Sequence, residues 1–97
     1  MAEIVTSAVD ERLYEAKVTV DGRHYAYRVS VPDGLIQRIG ADPAAIVRAT
    51  LAFLLGREPP TSIMERFDCS VVARYFPEYE TELPRYLEGP GTTGLSS

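Results

Sequence analysis

Few residues in this sequence are of the types that carry out chemistry in enzymes. There is one histidine, His24, and one cysteine, Cys69. A catalytic or metal-binding histidine needs polar companions, and no second histidine or cysteine lies near His24 in the sequence, so an exposed strand histidine is predicted. Cys69 follows the potential helix cap Asp68. A helix dipole lowers a thiol pKa, but the adjacent carboxylate opposes that effect, and we interpret Cys69 as a buried or half-buried structural thiol.

Acidic residues near the C-terminus are the other candidates for chemistry. Glu78, Glu80 and Glu82 could offer oxygen ligands, but they lack the loop and the glycine of a calcium site, so a solvated helix face is the better interpretation. The sequence contains no glycine-rich phosphate loop, serine nucleophile elbow, zinc-binding helix motif or paired-cysteine motif. The prediction is a protein that is not an enzyme, with no catalytic, cofactor-binding or metal-binding residue.

Composition narrows the class of protein further. The chain has 97 residues, 45% hydrophobic and 25% charged, which is typical of one soluble globular domain. Its net charge of −4 disfavours binding that depends on neutralising phosphates, so nucleic acid is kept only as an alternative partner. A basic leader with an apolar core and an apolar run of about 20 residues are both absent, which predicts a cytoplasmic protein with no membrane contact.

A β-hairpin over residues 12–31 is the strongest structural signal. Asp21-Gly22 suits a two-residue type I′ turn, which places Val20 opposite Arg23. One face of the hairpin then pairs only apolar residues: Tyr14, Ala16, Val18, Tyr25, Tyr27 and Val29. The other face pairs Thr19 with His24 and Glu15 with Arg28. We expect the tyrosine face to lie under helices, and not to form a base-stacking platform.

Helices are predicted to cover the apolar face of this hairpin. One or two turns near Leu35 end at Gly40, and a second helix begins at Asp42-Pro43 and ends at Gly56. Ser62 and Glu65 have the form of a capping box that opens a short turn.

The apolar stripe that follows predicts two more helical pieces. Asp68 caps the first, Pro77 separates the two as a first helical residue, and Pro84 predicts a kink or an early end in the second. The fold class is therefore α+β, with an N-terminal antiparallel β-hairpin or a three-stranded meander packed against three or four C-terminal helices. Residues 4–9 are the candidate third strand. Residues 1–88 form the single domain, and residues 89–97 are predicted to be a flexible tail.

Two partial resemblances accompany this pattern. The hairpin, its strand Tyr25-Ala26-Tyr27-Arg28-Val29-Ser30-Val31-Pro32-Asp33 and the Asp-capped helix resemble antitoxins of the HicB family over less than half of the chain. That resemblance implies a dimer that caps a partner protein. Residues 62–80, with Ser62-Ile63-Met64-Glu65-Arg66-Phe67-Asp68, are similar to small bacterial proteins of unassigned function.

Two functional hypotheses follow. The first is a non-catalytic protein-interaction module that self-associates as a homodimer, because the predicted helices carry more apolar surface than one small sheet can cover. Its candidate interface residues are Tyr75, Phe76, Tyr79 and Tyr86. The alternative is a small antitoxin-like or transcriptional regulator that contacts a partner protein or nucleic acid, the latter through Lys17, Arg23 and Arg28. An uncharged apolar groove favours the first hypothesis, and a basic surface patch favours the second.

Overall fold

Three antiparallel strands begin the fold of residues 2–87, the part of the chain that the computed structural model describes. They are β1 (Ala2–Asp10), β2 (Leu13–Val20) and β3 (Arg23–Ser30). Asp21 and Gly22 have φ angles of 52° and 77°, as a type I′ turn requires. Val20 lies opposite Arg23, so the predicted register is confirmed. The candidate third strand is also confirmed, because β1 pairs with β2 and completes a meander.

The rest of the described chain, residues 31–87, is mostly helical, which confirms the α+β class. The elements after β3 are α1 (Asp33–Ile39), α2 (Pro43–Leu55), a 3-10 turn (Pro60–Ser62), β4 (Arg66–Asp68), α3 (Cys69–Tyr75) and α4 (Tyr79–Leu87). The Asp42 side chain accepts the Ala44 N–H at 3.1 Å, and Gly40 ends α1 with a φ of 73°. The predicted limits of α1 and α2 are thus confirmed at their caps.

Strand β4 is absent from the sequence prediction. Its three residues pair in parallel with β3, with Arg28 opposite Arg66 and Val29 opposite Phe67. The predicted capping box is wrong, because Ser62 ends the 3-10 turn and caps no helix. Burial of Phe67 and the pairing with β3 favour an extended conformation here, and a three-residue strand has no detectable period of its own.

Pro77 separates α3 from α4 as predicted, but helix α4 differs from the prediction in where it begins and where it ends. Pro77 lies in a turn before the helix, which begins at Tyr79. The helix continues past Pro84 to Leu87, so an early end is wrong. Pro84 lacks the N–H that would bond to the preceding turn, but Tyr79 and Leu83 on the same helix are completely buried. Packing of α4 against α2 compensates for the missing hydrogen bond.

The core lies between the helices and one face of the sheet. Ala16, Val18, Tyr27 and Val29 supply the sheet side, and α2 supplies the centre with Ile46, Val47, Leu51 and Phe53. Tyr14 and Tyr25 pack partly buried against the same core, which confirms that the tyrosine face is covered. Among the described residues, no helix is long and apolar enough to cross a membrane. The predicted tail, residues 89–97, lies outside the described residues.

Candidate interaction surface

An apolar groove lies between α3 and the segment that joins α2 to β4. Its floor is formed by Leu54, Ile63, Phe67 and Val72, all of them buried. The groove has a volume of about 460 Å³, enough for one or two large side chains of a partner.

The rim of this groove carries unusually exposed apolar side chains. Met64 is 53% exposed and Tyr75 is 73% exposed, and both line the groove together with Phe76. Glu58 is the charged residue of the lining, and it lies on the α2 side. Two of the four predicted interface residues, Tyr75 and Phe76, therefore contribute to one surface.

A cluster of aromatic rings supports the groove from inside. The ring of Phe53 meets the rings of Phe76, Tyr79 and Tyr86 edge to face, with centroids 5.6, 5.4 and 5.9 Å away. The guanidinium of Arg57 lies over the same ring, 3.9 Å from its centroid. Such contacts favour a fixed ring orientation. Phe76 is thus held by the core on one side while it lines the groove on the other.

Tyr79 does not belong to the surface. It is completely buried, so its prediction as an interface anchor is wrong, and its position on the inward stripe of α4 explains the difference. The Thr50 hydroxyl donates to the Ile46 carbonyl at 2.7 Å, which leaves Thr50 Oγ1 free to accept from the Tyr79 hydroxyl at 2.6 Å. Burial raises the pKa of Tyr79. Tyr86 is half-buried beside Phe53, outside the groove lining.

Cys69 lies in the same buried polar cluster, with Sγ 3.8 Å from Thr50 Oγ1. Burial is the main cause that raises the pKa of its thiol to about 11, and Asp68 adds to that effect. The predicted buried thiol is confirmed, since Cys69 has no exposed surface. A thiol that stays protonated is a poor nucleophile and a poor metal ligand. No cluster of three or more metal-ligating side chains occurs within residues 2–87.

The uncovered face of the sheet carries the residues proposed for nucleic acid. Lys17 and Arg28 are exposed on this face, while Arg23 is exposed beside the hairpin turn. Arg66 of β4 lies directly opposite Arg28. The sheet thus brings together two cationic residues that are far apart in the sequence. Glu15 lies opposite Arg28 on the other side, so the cationic area is small.

The only histidine is placed as predicted. His24 is exposed on the uncovered face of the sheet, and its Nδ1 lies 3.1 Å from Thr19 Oγ1. Thr19 is also the cross-strand partner that the hairpin register assigns to His24. The geometry is that of a surface histidine.

Comparisons with family models, with curated proteins and with solved structures gave no match. The resemblance to HicB antitoxins therefore stays a prediction.

The sequence identified the aromatic part of the groove rim and missed the segment of residues 63–67, which supplies Met64 to the rim and Ile63 and Phe67 to the floor. Tyr75 and Phe76 were identified as large aromatic residues, whereas Ile63, Met64 and Phe67 belong to a segment assigned to a short turn. The available signal was the apolar character of Ile63, Met64 and Phe67, but Glu65 and Arg66 interrupt it, and the segment is too short to separate a strand from a turn.

Proposed function

We propose that this protein is a non-catalytic protein-interaction module that holds apolar side chains of a partner in the groove beside α3. The observation that carries the proposal is the conjunction of a preformed apolar groove with two strongly exposed apolar side chains, Met64 and Tyr75, at its rim. Exposed apolar patches of this kind are typical of protein-binding surfaces. Large aromatic side chains such as Tyr75 contribute most to binding at such surfaces.

The groove also indicates the chemistry of the partner segment. Its volume fits one or two aliphatic or aromatic side chains, and Glu58 on the lining favours a basic residue next to them. The expected partner is therefore a short peptide segment with apolar anchors spaced to reach the groove and one lysine or arginine beside them.

Selection of randomised peptides displayed on phage tests this proposal. Peptides selected against the wild-type chain are expected to share apolar anchors and a basic residue. Their binding should fall more than tenfold in the Met64→Lys/Tyr75→Lys double variant, because the variant removes the apolar rim of the groove. The variant should still fold, because both side chains are exposed and lie outside the core.

Gln37→Lys/Thr81→Lys is the matched control, because both residues are exposed outside the groove lining and the pair adds the same charge as the double variant. Its affinity for the selected peptides should equal that of the wild type. Selected peptides that bind the double variant as tightly as the wild type would contradict the proposal, as would a selection that yields no apolar consensus.

A second candidate function rests on the cations of the uncovered sheet face. The pairing of Arg28 with Arg66, with Lys17 on the neighbouring strand, favours a regulator that contacts phosphates. The net charge of −4 and the carboxylate of Glu15 beside Arg28 work against this function.

Fluorescence anisotropy with a labelled single-stranded oligonucleotide tests the second candidate. Affinity that falls steeply with salt and is lost in Arg28→Glu/Arg66→Glu would support it. Absence of binding at low salt would eliminate it, and would leave the groove proposal untouched.

A further inference from the structure

We infer that two copies of this chain pair antiparallel through their β1 strands and form one continuous eight-stranded sheet. This inference concerns the sheet edge opposite the groove, because the strand order β1-β2-β3-β4 puts β1 and β4 at the two ends. It does not depend on the proposed function, and both surfaces can be occupied at the same time.

The outer edge of β1 is an unusually long template for strand pairing. The strand has nine residues and pairs with β2 on one side, while its other side has no strand partner among residues 2–87. Alternate residues of an edge strand present backbone N–H and C=O groups outward. By contrast, the opposite edge strand, β4, has only three residues.

The sequence of β1 lacks the features that protect edge strands. No charged residue and no proline occurs between Glu3 and Asp10, and the irregularity in its pairing comes only after Ala8. Lysine, proline and central bulges are the usual means by which proteins prevent edge pairing. Val5, in the middle of the regular stretch, is 57% exposed.

Symmetry together with the regular stretch of β1 indicates one register for the pairing. A two-fold axis perpendicular to the sheet keeps both helical layers on the same side, and it requires that facing residues belong to the same face of the sheet. The regular stretch of β1 runs from Ala2 to Ala8 and is centred on Val5. Val5 then faces Val5 of the second copy, Glu3 faces Ser7, and Ile4 faces Thr6.

This register is self-complementary in charge and in shape. Each Glu3 faces a hydroxyl, and the two Glu3 residues are separated by about four strand positions, roughly 14 Å, which exceeds the screening length at physiological salt. The two exposed Val5 side chains cover each other on the uncovered face. A second copy therefore fits the edge without like charges in contact. The seam is smaller than a standard interface of roughly 1,600 Å², so micromolar affinity is expected.

Disulfide cross-linking between single-cysteine additions tests the register. Val5→Cys should form a covalent dimer on mild oxidation, because its β-carbon faces its own copy at about 5 Å. Glu3→Cys should cross-link with Ser7→Cys when the two variants are mixed, and much less with itself. Lys17→Cys is the matched control, because Lys17 is exposed directly opposite Val5 on β2 and lies roughly 14 Å from its own copy in the dimer.

Sedimentation equilibrium tests the association itself. The wild type should show a concentration-dependent mass that rises to that of two chains, and Val5→Lys should stay monomeric, because it places two ammonium groups opposite each other. Gln37→Lys, at an exposed position on α1, adds the same charge and should dimerise as the wild type does.

Three results would overturn the inference. They are a wild-type chain that stays monomeric at high micromolar concentration, a dimer that persists in Val5→Lys, and Val5→Cys cross-linking no faster than Lys17→Cys. The circular dichroism melt of each variant confirms that it is folded before it is scored.

Discussion

At the scale of single residues, the buried hydroxyl of Tyr79 forms a hydrogen bond inside the core. It donates to Thr50 Oγ1, whose own proton bonds to the Ile46 carbonyl. Tyr79→Phe removes this donor in a completely buried site, and we expect a loss of about 1–2 kcal/mol in the free energy of unfolding.

Urea unfolding of Tyr79→Phe and of Tyr75→Phe makes the comparison direct. Tyr75 is 73% exposed, so Tyr75→Phe should change stability by less than about 0.5 kcal/mol. Equal stability losses in the two variants would show that the buried hydrogen bond contributes nothing.

Cys69 gives a second prediction at this scale. Because burial raises the pKa of its thiol to about 11, the thiolate fraction near neutral pH is about 100-fold lower than in the unfolded chain. Alkylation by iodoacetamide should therefore be slowed at least 100-fold in the folded protein. Rapid labelling in the absence of denaturant would contradict the burial of Cys69.

Among the elements, the hairpin turn depends on the conformational freedom of Gly22. Its φ of 77° lies in the left-handed region, and a β-carbon there meets no other atom within 4 Å. Gly22→Val should therefore cost about 1–2 kcal/mol from backbone strain alone. Gly22→Asn should cost much less, because asparagine tolerates this conformation. Thermal unfolding of the two variants measures the difference, and equal losses would point to a cause other than backbone strain.

Asp68 joins two elements through one carboxylate. It accepts the Ser30 hydroxyl of β3 at 2.6 Å and the Ser70 N–H of α3 at 2.9 Å. Burial of Asp68 tends to raise its pKa, but the hydrogen bonds from Ser30 and Ser70 together outweigh burial and lower it.

Because the pKa of Asp68 is lower in the folded chain than its ordinary value of 3.8, the ionised carboxylate stabilises the fold at pH values above 3.8. This contribution is lost as the pH falls through the pKa of the folded state. Asp68→Ala should therefore cost about 1–2 kcal/mol at neutral pH and less in acid. Urea unfolding of the wild type and of Asp68→Ala at neutral and at acidic pH measures this difference. If the variant loses the same free energy of unfolding under both conditions, the charge of Asp68 has no role in stability.

For the whole molecule, the raised pKa values of the buried Cys69 thiol and Tyr79 hydroxyl predict a loss of stability at alkaline pH. In the unfolded chain Cys69 loses its proton near pH 9, whereas in the folded chain it keeps it up to about pH 11. Between these values the unfolded state binds fewer protons, so stability falls as the pH rises, by at most about 1.4 kcal/mol per pH unit for this group. The raised pKa of Tyr79 adds to the fall at higher pH.

The Cys69→Ala variant separates the thiol from other alkaline effects. Its stability should fall less steeply than that of the wild type between pH 9 and pH 11. Parallel curves for the two proteins would show that the buried thiol is not linked to folding.

The sequence alone predicted the elements that short-range rules control. The Asp21-Gly22 turn defined the register of β2 and β3, and Asp42 and Asp68 defined the starts of α2 and α3, because turns and caps act over two to four residues. Alternation of polar and apolar residues also identified the buried face of the hairpin and the candidate third strand.

Only the tertiary structure decided what lies on the surface. The apolar stripe of α4 gave equal reason to assign Tyr79 to the core or to an interface, and the packing of α4 on α2 buried it. Strand β4 and the groove floor depend on pairing between Val29 and Phe67, which lie far apart in the sequence. Local patterns record which residues are apolar and in what period, but they do not record which partner covers them, because that depends on contacts between distant segments.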